Sequence, residues 1–254
     1  MMRFIFLLLI YVLGFMSSSH ATELRIGAAS NLRFVLAELT QSFEQQTGHQ
    51  CHISFAASGT LASQILHGAP FDIFMSANPD YVHRLKSRGY TQGEASNYAH
   101  AQLALYATNS SKLGLDLELN SIRQALADGS LKKVVIANSH HAPYGQLAKK
   151  LLEQHGLWSL VQPHLLIAEN AAQSLQFSMS PQVSLGFVPY TYVIQPNISE
   201  TGRSLKFNEQ LVQQAVIIKG ADSAAQQWLD YLSSESAQKL LVKHGFLVNE
   251  QVKP

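Results

Sequence analysis

The order of hydrophobic periodicities predicts an α/β protein of two lobes, each a mostly parallel sheet flanked by helices. Three observations carry that expectation. Short apolar runs alternate with amphipathic helical segments from residue 23 onward, and strands that alternate with helices pair in parallel and are covered on both faces. After three strand and helix pairs a longer apolar strand near Leu103 interrupts the rhythm, which then starts again. A polar stretch from Ile198 to Arg203 returns the chain for one last strand and helix. Two α/β sets joined by crossovers follow, with residues 22–102 and 198–254 as lobe 1 and 103–197 as lobe 2.

The elements follow in order. Glu23 to Ala29 reads as a strand, and Leu32, Val35, Leu36, Leu39 and Phe43 then fall at helical spacing on one stripe that Gly48 ends. Cys51, Ile53 and Phe55 alternate with His52 and Ser54, as a strand should. Ala56 to Thr60 leads into a helix from Leu61 to His67 closed by Gly68, and Phe71 to Met75 is a third strand. Asn78-Pro79 supplies a cap and a first-turn proline for a helix through Arg88, with Gly89 as its stop. Ala101 to Thr108 is the longer strand, and Lys132 to Asn138 the next. A helix from Gly145 to His155, a strand from Leu165 to Ala168, a helix from Ala171 to Met179 and a strand from Leu185 to Val188 continue the alternation. Gln214 to Ile218 and a helix from Ala224 to His244 complete it.

The chain has 254 residues, 46% hydrophobic and 14% charged, with 18 basic against 17 acidic side chains. That balance excludes a disordered tail or a nucleic-acid protein, which would show a charge excess or a basic face. Residues 1–21 stand apart: Arg3 is followed by the apolar run Phe4 to Met16, and Ser17-Ser18-Ser19-His20-Ala21 ends small-x-small. These are the parts of a secretory signal, with an apolar run shorter than the roughly 20 residues of a membrane span. The expectation is cleavage after Ala21; an uncleaved anchor is the alternative. Losing Arg3 leaves the mature chain formally neutral, 17 against 17. The single Cys51 permits no internal disulfide and reads as a small buried hydrophobe.

Four segments place a small or hydroxyl residue between a strand end and a helix start: Ala28-Ala29-Ser30-Asn31, Ala57-Ser58-Gly59-Thr60, Ala142-Pro143-Tyr144-Gly145 and Glu169-Asn170-Ala171-Ala172. In a parallel sheet such turns lie at the carboxyl ends of the strands, where ligands bind. Each helix start exposes unpaired N–H groups and about half a positive charge, so converging starts make an anion site without Lys or Arg. None of the four segments contains a basic residue. The competing possibility is that Ser30 and Ser58 are ordinary N-caps, each stabilising a helix by about 1 kcal/mol and binding nothing.

The segments Ala28-Ala29-Ser30, Phe55-Ala56-Ala57-Ser58-Gly59-Thr60-Leu61-Ala62, Gly68-Ala69-Pro70-Phe71-Asp72-Ile73-Phe74-Met75-Ser76-Ala77, Ala142-Pro143-Tyr144-Gly145 and Leu185-Gly186-Phe187-Val188 resemble the periplasmic molybdate-binding proteins of ABC transporters. The likeness runs in order over nearly all of the mature chain. It implies a type II periplasmic binding-protein fold whose interlobe cleft closes over molybdate or tungstate, held by neutral donors. It further implies no cofactor, no catalysis, periplasmic localisation, a monomer, and delivery of the ion to an inner-membrane ABC permease. By position, Ser30 and Ser58 match serines that offer hydroxyl and N–H groups from the first lobe. Tyr144 and Ala171 match positions whose backbone N–H groups bind from the second. The family's tyrosine hydroxyl after the Gly-x-Val strand meets Pro189 here, with neither N–H nor hydroxyl; Asn31 and Tyr190 are the candidate replacements. The same fold could hold sulfate or another small anion, and an enzyme on this scaffold is the remaining rival.

Other conspicuous residues read as structural. Adjacent His140 and His141 cannot face one metal as an i, i+4 pair would, which favours a solvated loop and no cationic metal site. Asp72 reads as a structural hydrogen bonder, Trp158 and Trp228 as packing, and Ser58 lacks the Gly-x-Ser-x-Gly elbow of a hydrolase.

Overall fold

Strands β1 (Glu23–Ala29), β2 (Gln50–Ala56) and β3 (Ile73–Ser76) form a parallel group, with Ile26 level with both Ile53 and Ile73. Strands β5 (Lys133–Ala137), β6 (Leu165–Ala168) and β7 (Val183–Pro189) form a second parallel group with β5 in its middle. The computed structural model describes residues 22–248, so the expected export signal lies outside the described residues. Between the groups run two long strands, β4 (Thr91–Thr108) and β8 (Gly202–Ile218), antiparallel to each other and to β7 and β3 respectively. The sheet order is β2-β1-β3-β8-β4-β7-β5-β6.

The β4/β8 ribbon is the main departure from the sequence reading, which saw only 101–108 and 214–218. The added residues are mostly polar and exposed or half-buried, with isolated buried members such as Tyr98, Ala99 and Phe207, so no sustained alternation of apolar residues marks them. They are extended because each strand is the other's hydrogen-bonding partner, from Thr91↔Ile218 to Thr108↔Gly202. The ladder shifts register between Gln102 and Ala104, and the Gln102 amide donates to the Phe207 carbonyl at 2.9 Å beside that break.

Helix α1 (Arg33–Thr47) buries the stripe its periodicity marked: Leu32, Val35, Leu36, Leu39 and Phe43 are all inaccessible, each stabilising the fold by about 1.5–3 kcal/mol. Gly48 caps it in the left-handed conformation, φ 76°. Helices α2 (Ser58–Leu66) and α3 (Pro79–Lys86) cover the other face of the first group, where Leu61, Ile65, Phe74, Val82 and Leu85 form their own cluster.

Helix α4 (Asn120–Ala127), unseen in the sequence, starts where Asp116 accepts from the N–H groups of Asn120 and Ser121 at 2.8 and 2.9 Å. Helix α5 (Pro143–Gln154), the single turn α6 (Trp158–Val161) and α7 (Ala171–Ser178) complete the second group's cover, and two short turns, α8 (Tyr190–Val193) and α9 (Pro196–Ser199), lead into β8. The predicted last helix is two, α10 (Ser223–Leu232) and α11 (Glu235–Lys243). Ser234 ends the run because its hydroxyl accepts from Ala237 N–H, starting a new helix. Trp228 is fully buried edge-on to Phe43, with ring centroids 5.1 Å apart. Trp158 is half-buried under the Lys149 ammonium.

Candidate functional site: a neutral cavity at converging helix starts

Because both groups are parallel inside, their carboxyl ends carry the strand-to-helix turns of the four segments. Helices α2 and α5 begin three and two residues earlier than their apolar stripes suggested, and this moves Ser58 and Tyr144 into first turns. The N-cap positions are Ala57 for α2 and Ala142 for α5, with no side-chain cap, and Ala29 precedes the 3-10 turn Ser30–Leu32 likewise uncapped. Neither serine is an N-cap, which removes the competing reading of Ser30 and Ser58. The N–H groups of an uncapped first turn have no intrahelical acceptor, so those not taken by another partner can bind a ligand. Of the helix starts in the four segments, only α7 carries a side-chain cap, Asn170, which accepts from Ala172 and Gln173 N–H at 3.0 and 3.1 Å.

A small cavity of about 10 Å³, room for the centre of one water-sized sphere, lies among Ser30, Asn31, Ser58, Tyr144 and Ala171, walled otherwise by alanines and Pro143. Five of the six residues expected at the site are thus brought together. Ser58 is fully buried and its Oγ accepts from Ala77 N–H at 3.0 Å. Ser30 Oγ accepts from Ala172 N–H at 3.3 Å, from the opposite group. Each hydroxyl oxygen is therefore already an acceptor, and its own proton is left to donate. No Lys, Arg, His, Asp or Glu lines the cavity.

Tyr144 and Asn31 meet behind it. The Tyr144 hydroxyl and the Asn31 amide oxygen are both buried without a hydrogen-bond partner. Burial drives the tyrosine's pKa well above its ordinary value, with the Asn31 side chain acting in the opposite sense. The Asn31 amide nitrogen donates to Gln213 Oε1 on β8 at 2.9 Å.

Tyr190 is not at the cavity. Pro189 ends β7 and Tyr190 opens α8 with its ring under the Lys206 ammonium, 4.8 Å from the centroid. One helical step on, Tyr192 is buried and its hydroxyl donates to the Ser30 carbonyl. Sequence reading missed Tyr192 and Gln213 because both act on the backbone or side chains of cavity residues and neither faces the ligand space. The only signal was the short turn after Pro189, which rotates residue 192 inward where residue 190 points away.

His141 also departs from expectation. His140 is exposed, but the His141 side chain is only 24% exposed. Its carbonyl accepts from Gly59 N–H at 2.9 Å. No group of three or more His, Cys, Asp or Glu that could hold a metal exists among the described residues. Asp72 is structural as read: it accepts from Arg25 N–H at 2.8 Å and pairs bidentately with its guanidinium at 3.0 and 2.9 Å. A larger cavity of about 520 Å³, lined by Ser111, Lys112, Ser121, Asp128, Lys132 and Ser184 among others, opens at the amino ends of β5 and β7. That is the end of a parallel sheet away from ligand-binding turns, and it contains none of the expected site residues.

The geometry has counterparts among known proteins. The model of the family described as bacterial extracellular solute-binding protein matches residues 24–247. The molybdate-binding protein ModA of Azotobacter vinelandii is 30% identical over 236 residues, covering 90% of this chain and 91% of its own. That of Rhodobacter capsulatus is 29% identical over 243 residues, covering 93% and 92%. The solved structure of the Azotobacter vinelandii periplasmic molybdate-binding protein aligns with a TM-score of 0.79 at 27% identity, over 89% of this chain and 99% of that one.

Proposed function

Because this chain belongs to the bacterial extracellular solute-binding protein family, we propose that it binds a tetrahedral oxyanion, molybdate or tungstate, between two closing lobes and hands it to an ABC permease. The fold is the two-lobed periplasmic binding-protein architecture. The observation that carries the reading is the cavity itself: two serine hydroxyls and helix starts from both strand groups around one small space free of charged side chains. A dianion there is held by N–H and O–H donors, each charge-assisted bond contributing on the order of 1.5–3 kcal/mol. A space this small leaves no room for a sugar or an amino acid. Selection against sulfate comes from fit, because an ion too small to reach every donor leaves some unpaired at about 1–3 kcal/mol each.

Ser30, Ser58, Asn31 and the backbone N–H groups of Tyr144 and Ala171 are the contacts. Residues 22–102 with 198–254, and 103–197, are the lobes. Their first boundary falls at the Gln102/Ala104 register break of β4, a natural place for a hinge. No described helix is long and apolar enough to cross a membrane, and the solved Azotobacter vinelandii relative, named a periplasmic molybdate-binding protein, supports a periplasmic receptor; release after Ala21 and a monomeric state belong to the same proposal. Calorimetric titration with molybdate, tungstate, sulfate and phosphate tests the reading. Dissociation constants below about 1 μM, or −8 kcal/mol, for the first two alone support it; no heat with either refutes it.

A further inference from the structure

Beside the cavity the two strand groups are joined by a main-chain hydrogen bond, from Gly59 N–H, next to Ser58, to the carbonyl of His141, three residues before Tyr144. The approach has no slack. A Cβ on Gly59 would stand 2.8 Å from that carbonyl oxygen and 2.9 Å from both Cα and Cβ of His141. Gly59 lies in the first turn of α2 without a positive φ, where alanine would be the better helix former by roughly 1 kcal/mol. Conformation therefore does not call for glycine here; contact with the other lobe does. The same seam continues outward through Thr60 Oγ1, 3.4 Å from His141 Nδ1. Beyond it Gln146 donates to the Tyr81 hydroxyl at 2.9 Å and accepts from the Asn78 amide at 3.4 Å.

We infer that Gly59 is a positioning residue for ligand retention: its missing side chain lets the bond to His141 set how closely Ser58 and Tyr144 approach in the closed cleft. A methyl group at 59 needs the His141 backbone to retreat by about half an ångström to reach ordinary contact. That retreat stretches the 2.9 Å bond toward the limit of a hydrogen bond and moves the Tyr144 N–H away from Ser58. The seam exists between lobe surfaces whichever ion is carried; its effect on retention rests on the oxyanion reading proposed above.

Two variants of the full mature chain test it. Gly59→Ala raises the molybdate dissociation rate, measured by stopped-flow fluorescence, by at least about tenfold, because the closed state is less populated while encounter with the open cleft is unchanged. Its ligand-free unfolding temperature is no lower than that of the wild type, and its gain on saturation with molybdate shrinks. A wild-type dissociation rate in Gly59→Ala overturns the inference.

Gly59→Cys/His141→Cys closes the seam covalently, since the two Cβ positions, 2.9 Å apart here, need only a small opening to reach the roughly 3.8 Å of a disulfide. Cys51 does not compete, because burial pushes its thiol up to about 12. The oxidised double variant has a smaller radius of gyration by X-ray scattering than its reduced form, and traps molybdate loaded before oxidation until a reductant is added. Failure of the disulfide to form overturns the seam without reference to any ligand, whereas absence of molybdate binding by the wild type overturns the oxyanion reading alone.

Discussion

Replacing Ser58 by alanine separates the hydroxyl's two bonds. Its oxygen accepts from the buried Ala77 N–H at 3.0 Å, and its proton is left to donate to an anion in the cavity it lines. Removing the oxygen leaves Ala77 N–H without that partner, a loss of about 1–3 kcal/mol in stability, or some 2–12 °C in unfolding temperature at roughly 2–4 °C per kcal/mol for a chain of this size. Removing the proton deletes one charge-assisted bond to the anion, about 1.5–3 kcal/mol, which weakens molybdate binding about 10- to 150-fold. The two losses are read separately, the first by thermal unfolding of the ligand-free protein and the second by calorimetric titration. An unfolding temperature that falls while molybdate affinity stays within about twofold of wild type would refute the reasoning. Ser58 would then serve only to hold the Ala77 turn.

Two further outcomes are expected. Molybdate affinity should be flat between about pH 6 and 9, because the one titratable side chain lining the cavity, Tyr144, has its pKa driven up and away from that range; a tenfold change across it would place an unseen titrating group among the ligand contacts. Glu38 ties α1 to α11 through Lys243 and His244 at 2.7 and 2.9 Å, and these partners, Lys243 foremost, hold its carboxyl below the usual range. A depressed folded pKa makes its stabilisation complete above about pH 4.5 and lost as pH falls through the folded value. The unfolding temperature of Glu38→Gln should therefore lie below wild type at pH 7 and converge with it in acid, and a gap that persists unchanged to pH 3 would remove Glu38 from that role.

Much of the architecture is legible in the chain because it rests on local patterns. The α1 stripe, the strand runs of β1, β2, β5 and β6 and the Gly48 stop are all set by spacing within about 15 residues, and each is found where that spacing puts it. Local pattern fails where pairing, not patterning, makes the element. The polar outer parts of β4 and β8 are strands only because residues more than 90 positions apart hydrogen-bond along their lengths. The break at Ser234 is the reverse case, a local side-chain bond that interrupts a continuous apolar stripe.

At the candidate site the division is the same. Composition alone established that no charge excess exists to attract an anion, and the four turn segments located neutral helix starts that could do so. Which of those residues share a space was decided by the fold. Ser30, Ser58, Tyr144 and Ala171 meet because parallel strands from two groups end at one cleft, while Tyr190, one residue past Pro189, turns to Lys206 and leaves Tyr192 to hold Ser30. His141 looked like a solvated loop because nothing near it in sequence covers it; its cover is Gly59, 82 residues earlier. A sequence writes its helices, turns and donors residue by residue, but the distance between two donors on different lobes is a property of closure, and closure is set by contacts that no local spacing encodes.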